Sequence, residues 1–329
     1  MPRVVVVFTG GTISMGFDPV AGGNVPSLDG AAILARTPGL DAIAEVVPID
    51  HGLTPASHFT WDDLLSIAGI VRRALEDDAI DGVVVVQGTD TIEETAFAWD
   101  LVLDTPRPIV VTGAMRASHE EGYDGPANLR RAVAVAASPV AAGVGVVVSL
   151  AGTIEAADDV TKTHTTAFTT FQSPNGGSLG RVGEDGAVVL SRARGVRRRL
   201  APSPARGARV ELIQAGIGSD GKLLDAAVGG GAEGIVVAAT GTGNTAAPLL
   251  AAAERTIRAG IPVVLASRCP AGAVSTAYAF PGGGATWVRA GAIPAGTLCA
   301  IKARVALALG LGAGLDRDGL ATLLADPRG

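Results

Sequence analysis

The chain holds 329 residues, 48% of them hydrophobic and 18% charged. That is enough apolar surface to offset the entropy of ordering a large core, which excludes a disordered tail or a polar linker. Aromatic residues supply only 4%, and 26 basic against 32 acidic residues leave a net charge of −6, so neither base-stacking surfaces nor a positive field points to nucleic acid.

A small-molecule substrate is therefore expected, and the length predicts two domains or one large one. In chain order, the first predicted element is a strand at Val4–Phe8, which gives way to Thr9-Gly10-Gly11. This apolar run is shorter than that of a signal peptide, about 7–15 residues, and no stretch approaches the roughly 18 apolar residues of a membrane span. The reading is a cytoplasmic protein without a membrane partner. The Gly/Pro-containing loop Ser14–Val25 reads as a mobile lid. Further strands are predicted at Val46–Ile49, Val83–Val86, Ile109–Val111, Val144–Val148, Ile235–Val237 and Val263–Leu265, where continuous apolar runs mark strands buried on both faces. Between them lie helical patterns such as Thr60–Leu75, with Thr60 as N-cap and Trp61, Leu64, Leu65, Ala68, Ile70 and Val71 on an apolar side. Alternating βαβ units with right-handed crossovers predict an α/β fold, a mostly parallel doubly wound sheet.

Ser191–Arg209 interrupts this pattern with seven arginines among Pro202, Pro204, Gly195 and Gly207. Without interleaved aromatics such a run reads as a solvated linker rather than a nucleic-acid patch. The expected organisation is a larger N-terminal domain at 1–190, a linker at 191–209 and a smaller C-terminal α/β domain at 210–329. Cys269 and Cys299 read as two buried apolar thiols, and His51, His58, His119 and His164 are too scattered for a zinc pattern. Neither metal nor cofactor is expected.

Ligands of an open parallel sheet sit outside the carboxyl ends of its strands, and two hydroxyl-rich glycine turns fall there. Thr9-Gly10-Gly11-Thr12-Ile13 follows the first strand, and Gln87-Gly88-Thr89-Asp90-Thr91-Ile92-Glu93-Glu94-Thr95 follows Val83–Val86. The glycines allow close backbone approach while the threonines present hydroxyls. Asp90 with Glu93 also has capping-box spacing, which would make the second turn a plain helix start. Lys162 is one of three lysines, with Lys222 and Lys302, in a chain that otherwise takes its positive charge from arginine. An amine, unlike a guanidinium, can release its proton when burial disfavours charge and then act as a base toward a hydroxyl. The alternative for Lys162 is a surface lysine.

These turns join further segments in order: Thr112-Gly113-Ala114-Met115-Arg116, Asp124-Gly125-Pro126 with Asn128-Leu129, Asp159-Val160-Thr161-Lys162-Thr163, and Gly291-Ala292-Ile293 leading to Lys302-Ala303-Arg304. Together the six segments, which span nearly the whole chain, resemble the bacterial type I/II L-asparaginase and glutaminase-asparaginase family. The resemblance implies hydrolysis of the side-chain amide of L-asparagine, releasing aspartate and ammonia. Thr12 matches the family's acylated nucleophile, and Thr89, Asp90 and Lys162 match its second catalytic group. Ser57, His58, Gly88, Asp90 and Asn244 fall at substrate-binding positions, with Asp90 toward the α-ammonium and Ser57 toward the α-carboxylate. A homodimer or homotetramer is implied, with active sites at a subunit contact.

This sequence also departs from the family's pattern. A tyrosine common in the lid is absent, and Val25 stands near its place; Gln87 replaces a frequent histidine and Asp158 a frequent arginine. The only tyrosines, Tyr278 and Tyr123, are the candidates to replace the missing phenol, with Tyr278 preferred; otherwise Thr12 relies on water or on the Lys162 network. Alternatives in substrate are glutamine, D-asparagine or a succinamate-like amide, and an alternative in class is a non-catalytic amino-acid-binding relative. Gly241-Thr242-Gly243-Asn244-Thr245-Ala246 matches a GxGxxA dinucleotide pattern, but no acidic residue follows about 20 positions on, which argues against that reading.

Overall fold

A computed structural model of the chain describes residues 1–326, and these divide into two compact units, Met1–Arg194 and Gly195 onward. The first unit contains β1 (Arg3–Phe8), β2 (Met15–Asp18), β3 (Gly23–Pro26), α1 (Gly30–Ala35), β4 (Glu45–Asp50), α2 (Trp61–Ala74), β5 (Gly82–Val86), α3 (Ile92–Val102), β6 (Ile109–Thr112) and α4 (Gly125–Ala136). It continues with β7 (Val146–Leu150), β8 (Thr153–Ala156), β9 (Thr161–Lys162), β10 (Phe171–Gln172), β11 (Gly180–Val182) and β12 (Val188–Leu190).

Five parallel strands stand in the order β4-β1-β5-β6-β7, and antiparallel β8, β11 and β12 extend the β7 edge. The predicted valine runs form β1, β5, β6 and β7, whose residues are almost wholly buried, because helices cover both faces. The pleat sends Val4, Val6, Phe8, Val84, Val86, Val110 and Val147 into one core with Leu129, Ala132 and Val133 of α4. On the opposite face α3 packs on β6 and β7, with α2 beside it. Counted along the chain, the parallel strands follow the 2-1-3-4-5 order of doubly wound sheets. Its switch point, where the crevice for a ligand opens, lies between β1 and β5.

The second unit is a parallel sheet of β13 (Val210–Gln214), β14 (Gly234–Ala239), β15 (Val263–Ser267) and β16 (Ile293–Pro294), in that order. Its helices are α5 (Lys222–Gly229), α6 (Ala247–Arg258), α7 (Gly284–Ala290), α8 (Ala300–Gly312) and α9 (Arg317–Leu324). Ile235, Val237, Leu249, Val263, Leu265 and Trp287 form its core. The Arg304 guanidinium donates to the Val210 carbonyl at 3.0 Å, fastening α8 to β13, so the last segment of the family pattern carries a structural contact. No described helix is long and apolar enough to cross a membrane.

Three expectations need correction. The segment 14–25, read as a loop, is an antiparallel hairpin, β2 against β3, with Val25 opposite Gly16. Cys269 is exposed and Cys299 only partly covered, because Cys269 lies in the loop after β15 and Cys299 at the N-cap of α8. The arginine run is not uniformly solvated: the Arg194 side chain is 5% exposed, paired with Asp100, whereas Arg206 and Arg209 stay near the surface on Glu233 and Glu211.

Thr60 caps α2 as predicted, with the Asp63 amide donating to its hydroxyl at 3.2 Å and the Thr60 amide donating to the Asp63 carboxylate at 2.8 Å. The Thr60 hydroxyl, which donates to the Asp63 carboxylate at 2.7 Å, and then the Thr60 amide pull the Asp63 carboxyl below its ordinary range. Thr60→Ala removes the cap, and urea unfolding should show a loss of about 1 kcal/mol with turnover unaffected.

Candidate active site

After β1 the chain passes through Thr9-Gly10-Gly11 into a 3-10 turn at Thr12–Ser14, and after β5 it passes through Gln87-Gly88 into another at Thr89–Thr91. The two turns touch. Gly11 has φ +91°, and a Cβ there would lie 2.1 Å from the Gly88 nitrogen, so backbone occupies the space any side chain would need. A Cβ on Gly88 would stand 3.0 Å from the Ala56 methyl and 3.3 Å from the Gly11 Cα. The Thr12 turn, the Thr89 turn and the Ala56 segment are thereby fixed against one another. Ser57 and His58 lie in that third segment, exposed in the 3-10 turn Ala56–His58, which the Thr91 hydroxyl holds through the Ala56 carbonyl at 3.2 Å.

Lys162 arrives on the stretch that leaves β8, beyond the β7 edge of the parallel strands. It pairs with Phe171 in the β9–β10 ladder, and the Thr163 amide bonds the Thr170 carbonyl to close the intervening loop. Below this hairpin the Ser173 hydroxyl donates to the Glu155 carboxylate at 2.6 Å, and burial holds that carboxyl above its ordinary range. Lys162 Nζ lies 3.0 Å from Thr89 Oγ1 and 2.7 Å from Asp90 Oδ1. Its side chain is only 15% exposed, while that of Asp90 is 71% exposed. Neither plain reading survives: Lys162 is not a surface lysine, and no side chain caps α3 at Thr91, since the Asp90 carboxylate accepts from Lys162 instead.

The Gln87 side chain is buried, donating to the Gly88 carbonyl at 3.2 Å and accepting from the Thr95 hydroxyl at 2.9 Å. It therefore locks the second turn to α3. Asp124 and Asn128 stabilise the neighbouring loop. The Asp124 carboxylate accepts from the Met115 and Arg116 amides at 3.0 Å, and Asn128 Nδ2 donates to the Gly113 carbonyl at 3.0 Å. Tyr123, one of the two candidate tyrosines, reaches the first turn: its hydroxyl donates to the Ile13 carbonyl at 2.8 Å. Burial, the dominant cause, raises this phenol to about 12.

Asn244 and Tyr278 belong to the second unit. Thr240 and Asn244 exchange backbone hydrogen bonds that close the Gly241–Gly243 turn, and Asn244 Oδ1 is buried without a hydrogen-bond partner among the described residues. Tyr278 is 49% exposed, its ring 5.9 Å from that of Phe280.

The arrangement sets a threonine on one glycine turn beside a threonine and a carboxylate on the next, both bonded by the Lys162 amine, the side-chain types that nucleophilic catalysis with a base requires. The family model described as asparaginase, N-terminal, matches residues 3–194, and that of the glutaminase/asparaginase C-terminal domain matches residues 209–324. The chain belongs to the asparaginase family. It is 38% identical to the probable L-asparaginase of Deinococcus radiodurans over 97% of this chain and 95% of that one. It is 32% identical to the probable periplasmic L-asparaginase of Haemophilus influenzae, over 94% and 89%. The crystal structure of the probable cytoplasmic L-asparaginase from Campylobacter jejuni superposes with a TM-score of 0.87 at 28% identity, covering 98% of this chain and 99% of that one. All six segments that carry the resemblance lie within the matched asparaginase regions.

The raised phenol has a definite pH signature. Because the folded protein keeps the Tyr123 proton up to about 12 while the unfolded chain releases it near 10.0, this residue's contribution is complete below pH 10 and is lost as pH rises toward 12. In a Tyr278→Phe background, ultraviolet titration should place the remaining phenol near 12. Ionisation near 10 would show an uncovered hydroxyl.

Proposed function

We propose that this asparaginase-family chain hydrolyses the side-chain amide of L-asparagine to aspartate and ammonia through an acyl-enzyme on Thr12. The observation that carries the reading is Lys162 Nζ standing 3.0 Å from Thr89 Oγ1 and 2.7 Å from Asp90 Oδ1, on the turn packed against that of Thr12.

A threonine hydroxyl is a poor nucleophile at neutral pH, so its proton must leave as the new bond forms. In the proposed first step Thr12 Oγ1 bonds the amide carbon, and its proton passes to the Lys162–Thr89 pair and on to the departing nitrogen as the C–N bond breaks. Ammonia leaves and an ester remains on Thr12. In the second step a water oxygen attacks the ester carbon, the same pair takes the water proton and returns it to Thr12, and aspartate is released. Asp90 orients Lys162 and stabilises it when protonated. Backbone N–H groups of the two turns meet the oxyanion charge of each tetrahedral intermediate, the task to which preformed turns are best suited. Asp90 also takes the substrate α-ammonium, with Ser57 and turn amides on the α-carboxylate and Gly88 and His58 lining the approach.

Tyr123 acts here through the backbone of the Thr12 turn, since its proton is committed to the Ile13 carbonyl. Assembly and location are part of the same reading. A homodimer or homotetramer would give the exposed Tyr278–Phe280 pair a neighbouring copy to face. We place the enzyme in the cytoplasm, a reading supported by the Campylobacter neighbour, which is named cytoplasmic. The two-domain organisation expected at 1–190 and 210–329 is retained, with the connector beginning after Arg194 rather than at 191, since the first unit buries Arg194.

Purified protein should release ammonia from L-asparagine faster than from glutamine or D-asparagine. Lys162→Met should stay folded and lose about 10²–10⁴-fold in turnover. Release from none of these amides would refute the activity, and near-normal turnover by the Lys162 variant would refute the base. Light scattering with parallel assay across dilution should show activity falling as the oligomer dissociates; a fully active monomer would refute the assembly.

A further inference from the structure

Arg194 lies at the end of the first unit, in a stretch whose composition suggests solvent exposure, yet its side chain is 5% exposed. Nη1 donates to Asp100 Oδ1 at 3.1 Å and to the carbonyls of Val144 and Val146 at 2.5 and 2.9 Å. Nη2 donates to Asp100 Oδ2 at 2.7 Å and to Asp158 Oδ1 at 3.1 Å. Asp100, 2% exposed, accepts in addition from the Val146 amide at 3.0 Å. The guanidinium thus makes a bidentate, buried, charge-assisted contact, the strongest class of side-chain hydrogen bond. It also has a second carboxylate on its outer side.

The placement of the two carboxylates matters. Asp100 lies on α3, whose N-terminal end follows Thr89 and Asp90. Asp158 lies just upstream of Lys162, on the stretch that leaves β8. That stretch is not free to swing by itself: the Asp159 and Val160 amides bond the Ala156 carbonyl at 3.1 and 2.9 Å. The Asp159 carboxylate also holds the Gly176 amide at 2.6 Å. The connections form a closed ring. At the front Lys162 bonds Thr89 and Asp90, at the back Arg194 joins Asp158 to Asp100, and α3 and residues 158–162 form the sides.

We propose that Asp158 and Arg194 are positioning residues that set Lys162 against Thr89 and Asp90 from behind the site. The proposal rests on the reading of Lys162 as the base. Front contacts alone constrain poorly, since Lys162 is long and its carboxylate partner Asp90 is 71% exposed, where ion pairs are screened and weak. The buried end of the ring supplies the fixity that catalytic geometry demands, within about 0.5 Å of the productive arrangement.

The discriminating variant is Asp158→Asn, because Asp158 is 30% exposed and its neutralisation leaves the bidentate Arg194–Asp100 pair intact. Arg194→Met would strand the buried Asp100 charge and unfold the unit, so it tests nothing by itself. Steady-state kinetics with L-asparagine and thermal melting are measured on the full chain for wild type, Asp158→Asn, Asp158→Glu and Lys162→Met. The expected result for Asp158→Asn is a roughly tenfold lower kcat, as for a displaced reacting group, with KM and melting temperature close to wild type and partial recovery in Asp158→Glu. Wild-type kcat in Asp158→Asn overturns the proposal, as does a loss of kcat that merely follows a lowered melting temperature. If Lys162→Met stays active, the base reading itself fails; if it is inactive while Asp158→Asn is normal, only the positioning role fails.

Discussion

The site depends on one close approach of backbone to backbone. Gly11 and Gly88 meet at the switch point of the parallel sheet, and the space beside Gly11 that a side chain would occupy holds the Gly88 nitrogen, 2.1 Å from the position of a Cβ. Strand order places the ends of β1 and β5 side by side; the glycines remove the side chains that would keep their turns apart. Thr12 and Thr89 are then carried on a rigid frame rather than on two independent loops, which is where preorganisation for an oxyanion and for proton transfer must come from.

Around that contact the polar groups divide between locking the frame and facing the crevice. Gln87, Thr95, Asp124 and Asn128 spend their hydrogen bonds on neighbouring turns, and Tyr123 spends its own on the Ile13 carbonyl. Asp90, Ser57 and His58 are left exposed at the surface of the crevice. Lys162 stands between the groups, mostly covered yet bonded to an exposed carboxylate. The family's motif residues are therefore not all chemical: Asp124 and Asn128 hold loops, and Arg304 fastens a helix to a strand.

Much of this is legible in the sequence, for physical reasons. Strands buried on both faces must be continuously apolar, so Val4–Phe8 and Val83–Val86 declare themselves, and a threonine beside glycines at a strand end declares a turn that presents a hydroxyl. The run predicted at Val144–Val148 starts late, at Val146, because Gly145 takes φ +71° and delays entry into the sheet. The short strands β8, β11 and β12 lack a periodic signal long enough to read, and Met15–Asp18 and Gly23–Pro26 are only four residues each and rich in Gly and Pro, so the hairpin reads as a loop. Long-range partners are the least legible feature. Arg194 meets Asp100 across 94 positions of sequence and Tyr123 meets Ile13 across 110, and composition alone cannot distinguish such a buried arginine from the solvated ones beside it.

In the proposed reaction Thr12 Oγ1 is the atom that becomes acylated, with the Thr89–Lys162 pair serving both halves. The most direct test is to incubate wild type and Thr89→Val protein with L-asparagine, quench in acid, and map covalent adducts by peptide mass spectrometry. The prediction is an aspartyl adduct on the peptide bearing Thr12 in wild type, with both its formation and its hydrolysis slowed in Thr89→Val. An adduct on Thr89 in wild type, or none on Thr12 while ammonia is still released, would contradict it.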